Sequence, residues 1–172
     1  NLAIYSKFKG GTSLNIDELR RSGSHINGND GKSSGPVPFV KITEVIMRAW
    51  NQGGKRPGTC AVYFSLWHYN FEELIVLKSN GGTDENRARG LKYGVKINNV
   101  FIQRWIKNES YTLFNPSETP KLLTTYGKEF EEAYLEYENT PGILKKKLPA
   151  RDMWEMIMKE RSETGNIYLF NI

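Results

Sequence analysis

Residues 38–64, PFVKITEVIMRAWNQGGKRPGTCAVYF, decide the class of fold. Phe39, Ile42, Val45, Ile46 and Ala49 recur at the 3.6-residue period, so the spacing predicts an amphipathic helix over 38–51 with one broad apolar face. Gly53-Gly54 ends that pattern, and Gln52 to Gly58 reads as a Gly-rich loop. The β-branched and aromatic content of Thr59–Phe64 then reads as a buried strand. Helix, loop and strand in such close succession mark a mixed α/β chain.

The same rhythm continues on both sides. Upstream, Leu14 and Ile16 lead into a charged stretch ended by Gly23, which predicts a short helix over Asn15–Arg21. From Ser22 to Pro38 the chain reads as loop, with Gly23, Gly28, Gly31 and Gly35 interleaved among Ser, Asn, Asp and Pro. Downstream, Phe71–Ser79 is predicted as a helix, and Tyr93–Ile97 as a strand running into a helix that reaches Lys107. Tyr111–Phe114 reads as a short strand stopped by Asn115-Pro116. Helices follow over Lys128–Tyr137 and Ala150–Ser162, the second opened by Pro149 and stopped by Gly165. Ile167–Ile172 is a strand for which the pattern offers no partner, and no internal repeat occurs.

Composition narrows the function classes. With 172 residues, 38% hydrophobic and 25% charged, the chain suits one packed core and excludes disordered or collagen-like readings. The strongest apolar run, near Leu74–Leu77, is far too short to span a bilayer and no signal-peptide pattern opens the sequence, so a soluble, cytoplasmic protein with no membrane partner is expected. Cys60 is alone, which excludes an internal disulfide or dithiol pair, and His25 and His68 add too little for a metal site. A net charge of +5 helps attract phosphates without pointing to nucleic acid as a partner. The start at Asn1 and the apolar end at Ile172 read as a piece of a longer chain.

Few constellations carry chemistry. Gly31-Lys32-Ser33 imitates the end of a phosphate-binding P-loop, but that motif needs glycine where Ile26 stands and a strand ahead of it. Glu72-Glu73 and Glu131-Glu132 read as solvated helix faces, and His68 as a structural histidine. The stronger signal is a pair of loops flanking one helix, each with cationic side chains: Arg20-Arg21 before the first, Lys55-Arg56 within the second. Guanidinium groups grip phosphate oxygens in pairs, and nearby glycines let backbone approach a ligand, so the two loops together suggest a nucleotide site.

A set of motifs runs through the chain in order: Gly10-Gly11, Leu19-Arg20-x-x-Gly23-Ser24-x-Ile26-x-Gly28, Ser33-Ser34-Gly35-x-Val37-Pro38, Gln52-Gly-Gly-Lys-Arg-Pro-Gly58, Leu66-Trp67-His68, Asn86-Arg-Ala-Arg89, Tyr93-Gly94-Val95 and Gly165-x-Ile167-Tyr168. In that order they resemble the large, catalytic subunit of class I ribonucleotide reductases, over essentially the whole chain.

The resemblance implies an α/β fold, an incomplete part of a ten-stranded barrel built from two half-barrels, with 1–172 as one segment of it. It implies that 22–38 is a first specificity loop, 38–51 a helix packing across the dimer of large subunits, and 52–58 a second specificity loop. Arg20 then matches the arginine that holds the triphosphate of a dNTP or ATP effector, Ile26 the residue beside that effector, and Lys7 a lysine near it. Gln52 and Arg56 match residues that read the substrate base, and Gly11 a glycine lining the pocket for a ribonucleoside diphosphate. The family's radical and reducing cysteines have no match here, so no catalytic residue is expected in the chain. Activity is expected only with the remainder of the catalytic subunit and with a small subunit whose metal centre supplies the radical. A non-catalytic nucleotide-binding module and a basic nucleic-acid-binding domain are the alternatives.

Overall fold

The computed structural model describes residues 2–8, 10–26, 28, 30–50 and 58–172. In chain order its elements are α1 (Leu2–Lys7), β1 (Thr12–Asn15), α2 (Val37–Ala49), β2 (Cys60–Ser65), α3 (Phe71–Ile75), β3 (Lys92–Ile97), α4 (Asn99–Lys107), β4 (Ser110–Phe114), α5 (Gly127–Asn139), β5 (Lys145–Pro149), α6 (Ala150–Thr164) and β6 (Tyr168–Asn171).

Four strands make a parallel sheet in the order β1-β2-β3-β6. Parallel neighbours need long crossovers, and the α2 excursion supplies one between β1 and β2. Cys60, Val62 and Phe64 of β2 and Tyr93, Val95 and Ile97 of β3 point to one face, where Val40 and Met47 of α2 and Met153 and Ile157 of α6 complete the core. The opposite face stays open: Ser13, Asn15, Lys92, Tyr168 and Phe170 are exposed. Among the described residues the sheet does not close, so the architecture is an α/β part-barrel.

A second layer packs beside it. β4 and β5 pair antiparallel from Ser110↔Pro149 to Phe114↔Lys145. Tyr134 of α5 clasps β4 through its hydroxyl, which accepts from Thr112 N at 2.7 Å and donates to Thr112 O at 2.9 Å. Its ring stacks on Tyr111 at 5.0 Å between centroids. The Arg104 guanidinium of α4 grips the Glu138 carboxylate of α5 with both ends, and the Thr112 hydroxyl donates to the same carboxylate.

Four expectations change. The segment 15–21 is not a helix: β1 occupies Thr12–Asn15, and the Asp17 carboxylate turns inward to accept from Ser65 N at 2.6 Å and Lys96 Nζ at 2.7 Å. That charge belongs to a buried polar cluster at the ends of three strands, and a charged run is a helix signal only when its charges face water. β6 does have a partner, pairing with β3 from Gly94↔Tyr168 to Ile97↔Asn171. β5 went unread because Lys145-Lys146-Lys147 resembles a solvated charge run. α3 ends at Ile75, short of Ser79. Elsewhere the reading holds: α2 begins beside Pro36, and α6 starts after Pro149 and stops at Gly165, whose φ of 61° is the left-handed cap.

Candidate functional site at the two ends of α2

The 22–38 stretch is more ordered than its glycines imply. Gly23 N donates to Ser33 O at 2.8 Å, Ser33 N to Ser24 O at 2.8 Å and Ile26 N to Gly31 O at 3.1 Å, and His25 and Lys32 form an antiparallel bridge. The stretch is a narrow hairpin whose tip carries Gly28 and Asp30 and whose return leg feeds α2. At its base Gly35 has a φ of 78°, and a Cβ there would overlap the Ser22 hydroxyl, so both legs meet only because that residue is glycine.

Arg20 stands at the foot of the hairpin. Its Nη1 donates to His25 O at 2.9 Å, and its remaining N–H groups have no partner among the described residues. The neighbouring backbone is held firmly by groups distant in sequence. His68, fully buried, donates from Nε2 to Leu19 O at 2.8 Å while its Nδ1 accepts from Asn70 N at 3.1 Å. Burial pushes the imidazole below its usual range, and the two bonds select the neutral Nε2–H tautomer. Arg21 N and Ser22 N donate to the side chains of Asn115 and Asn70, each at 3.2 Å. The Arg21 guanidinium lies over the Tyr69 ring at 5.2 Å. The sequence reading missed both asparagines, whose partners lie 94 and 48 residues away.

Lys7 lies at the far end of α2. Ser6 Oγ donates to Trp50 O at 2.9 Å, which sets Lys7 of α1 beside the last turn of that helix. Gly58, where the chain returns from the second loop, packs against Ser6, Met47 and Trp50. Gln52 and Arg56 themselves lie outside the described residues. Thirteen helical residues separate the two ends, a length of about 20 Å at 1.5 Å per residue. The structure therefore brings Arg20 and Ile26 together at one end and Lys7 with the second loop's flanks at the other.

Between those ends α2 presents an uncovered apolar stripe. Phe39 is 51% exposed, Ile42 56% and Val45 63%, while Val40, Thr43, Glu44 and Met47 face the core. The apolar face read from the sequence is thus mostly the outer one, since periodicity identifies a stripe without saying what covers it. The helix is fixed in that rotation by inward polar contacts. Lys41 Nζ donates to Asp84 O and Glu85 O, and Glu44 Oε1 accepts from Gly90 N at 2.6 Å.

A hollow of about 610 Å³ lies along one flank of α2 between Ser34, Val37, Lys41, Glu73, Glu85 and Arg87. It contains neither Arg20 nor Ile26, and its carboxylates suit a triphosphate poorly.

The chain matches the ribonucleotide reductase barrel-domain family over residues 1–172. It belongs to that family. It is 37% identical over 171 residues to the ribonucleoside-diphosphate reductase subunit alpha of Haemophilus influenzae, covering 98% of this chain and 23% of that protein. The subunit alpha of reductase 1 from Escherichia coli is 36% identical, with 98% and 22% covered, and that of Enterobacteria phage T4 is 37% identical, with 98% and 23% covered. The chain thus spans less than a quarter of the length of these relatives.

Cys60 is fully buried on the helix-covered side of the sheet, and burial raises its thiol pKa despite the contact with Thr12, which disfavours the reactive thiolate. Among the described residues no group of three or more His, Cys, Asp or Glu could hold a metal ion, and no helix is long and apolar enough to cross a membrane. Gly11 is exposed beside a hollow of about 320 Å³ lined by Leu2, Tyr5, Thr12 and Ser13. A Cβ there meets nothing within 4 Å, so the described residues around it impose no need for glycine.

Proposed function

We propose that the chain is the part of a class I ribonucleoside-diphosphate reductase catalytic subunit that senses a nucleotide effector and passes the information to the substrate pocket. The observation carrying this reading is the separation of the candidate residues by the length of α2, with an apolar stripe between them. One copy cannot bring both ends onto one nucleotide. Two copies related by a twofold axis, their α2 helices antiparallel through Phe39, Ile42 and Val45, bring the Arg20 end of one copy to the Lys7 end of the other.

In that arrangement a dNTP or ATP lies across the interface. Arg20 grips its triphosphate with the N–H groups not spent on His25, Ile26 packs beside the base, and Lys7 of the partner adds charge. The second loop, 52–58, contacts the base on one side, and Gln52 and Arg56 present its choice to a ribonucleoside diphosphate near Gly11. Differential contacts in alternative loop states are what a change in substrate preference requires. Reduction of that bound ribonucleotide to the deoxyribonucleotide uses reductant cysteines that this chain does not match and a radical from the metal centre of a small partner subunit. The site of action is the cytoplasm.

Arg20→Ala in the full-length enzyme tests the reading. Losing a charge-assisted pair costs about 1.5–3 kcal/mol, equivalent to a roughly ten- to hundredfold rise in effector Kd. Effector affinity unchanged by the substitution refutes it.

A further inference from the structure

Two asparagines each stand at the start of a short helical turn, three residues ahead of a glutamate: Asn70 before α3 with Glu73, and Asn115 before the 3₁₀ turn Pro116–Glu118 with Glu118. An asparagine in that place ordinarily caps its own helix, yet neither does so. Both side chains turn to the foot of the hairpin. Asn70 Oδ1 accepts from Ser22 N at 3.2 Å, and its amide donates to Ser22 Oγ and Glu73 Oε2, both at 2.9 Å. Asn115 Oδ1 accepts from Arg21 N at 3.2 Å, and its amide donates to Ser24 Oγ at 3.2 Å and Glu118 Oε1 at 2.8 Å. Asn70 is 4% exposed and Asn115 1%.

The two sites have one design. A buried amide reads a backbone N–H of the hairpin foot with its oxygen and a serine hydroxyl with its nitrogen, while the glutamate fixes which way the amide faces. Consecutive backbone N–H groups, those of Arg21 and Ser22, are captured by side chains from two segments that are distant in sequence but lie side by side, Tyr69 N donating to Phe114 O at 2.8 Å. With His68 on Leu19 O, the backbone on both sides of Arg20 is held, while the Arg20 guanidinium hydrogen-bonds to none of the three among the described residues.

We propose that Asn70 and Asn115, oriented by Glu73 and Glu118, are positioning residues that fix the Arg20 segment for effector binding. They hold the foot of the hairpin still so that the arginine meets a triphosphate at little conformational cost. The inference rests on the effector reading above, and it assigns specificity control to residues that never touch the nucleotide.

The test uses the full-length subunit with its small partner and reads equilibrium binding of dATP, dTTP and dGTP. In Asn115→Asp the new carboxylate still accepts from Arg21 N but faces Glu118, and effector Kd rises about tenfold. Adding Glu118→Gln restores the donor with its direction reversed, since glutamine still accepts from Leu144 N, and Kd returns to within about twofold of the parent. Asn70→Asp and its pairing with Glu73→Gln behave alike. Single changes that leave Kd untouched while Arg20→Ala weakens binding overturn the clamp and leave the effector reading standing. Single changes that lower Tm and weaken binding without rescue in the pairs also overturn it, by showing a generic structural role. Unchanged affinity in Arg20→Ala removes the effector reading and the clamp with it.

Discussion

Replacing Ile42 with glutamate separates assembly from folding. Ile42 is 56% exposed, so the change leaves the core untouched and alters the stability of one copy by no more than about 0.5 kcal/mol. The exposed fraction amounts to about 100 Å² of mostly apolar surface, which contributes about 2.5 kcal/mol in each copy when covered. A twofold interface counts the residue twice, giving about 5 kcal/mol, and incomplete coverage reduces this to about half. Burying two carboxylates adds to the loss. The dissociation constant of the full-length dimer then rises about a hundredfold, and effector-dependent substrate choice falls with it at dilute protein. Sedimentation across a concentration series, with and without dTTP, reads the first effect, and competition between substrates reads the second. A dimer affinity within twofold of the parent refutes the assignment of the α2 stripe to an interface between copies.

The remaining predictions concern stability in the full-length protein. Unfolded His68 binds a proton below its ordinary value of 6.5, whereas the buried imidazole resists until lower pH, so stability falls as pH drops below 6.5; His68→Gln flattens that part of a denaturation series. Burial pushes the Glu138 carboxyl up, but Arg104 and Thr112 pull it further down, so its contribution is present above 4.5 and is lost as pH falls through the lower folded value. Glu138→Ala strands the Arg104 guanidinium and costs about 3–5 kcal/mol in urea denaturation. At Gly94 a Cβ would lie 2.5 Å from the Tyr63 ring and 2.7 Å from that of Phe170, two rings in edge contact, so Gly94→Ala lowers stability by about 1–3 kcal/mol in the same assay.

Much of the fold was legible because local pattern and tertiary environment agree. β2 and β3 are buried and rich in β-branched and aromatic residues, and α6 carries its own start and stop. The failures have a common cause in long-range contacts. Asp17 looks like a surface charge until Ser65 and Lys96 are brought to it, and β5 looks like a lysine run until β4 lies alongside. Arg20 and Lys7 were singled out by resemblance alone, and their positions at opposite ends of α2 required the crossover to be seen. The two asparagines carried a faint local signal, Asn-x-x-Glu just after a strand or strand turn, with no hint of what they hold.

The length of α2 has a consequence for mixed assemblies. In the twofold arrangement proposed above, each effector site draws its arginine from one polypeptide and its base-reading loop from the other. A hybrid of one chain damaged at Arg20 and one damaged in the second loop therefore contains one composite site bearing both lesions and one bearing neither. Two inactive sensors restore half of the lost response to each other, which damage confined to a single polypeptide's own pocket could not do.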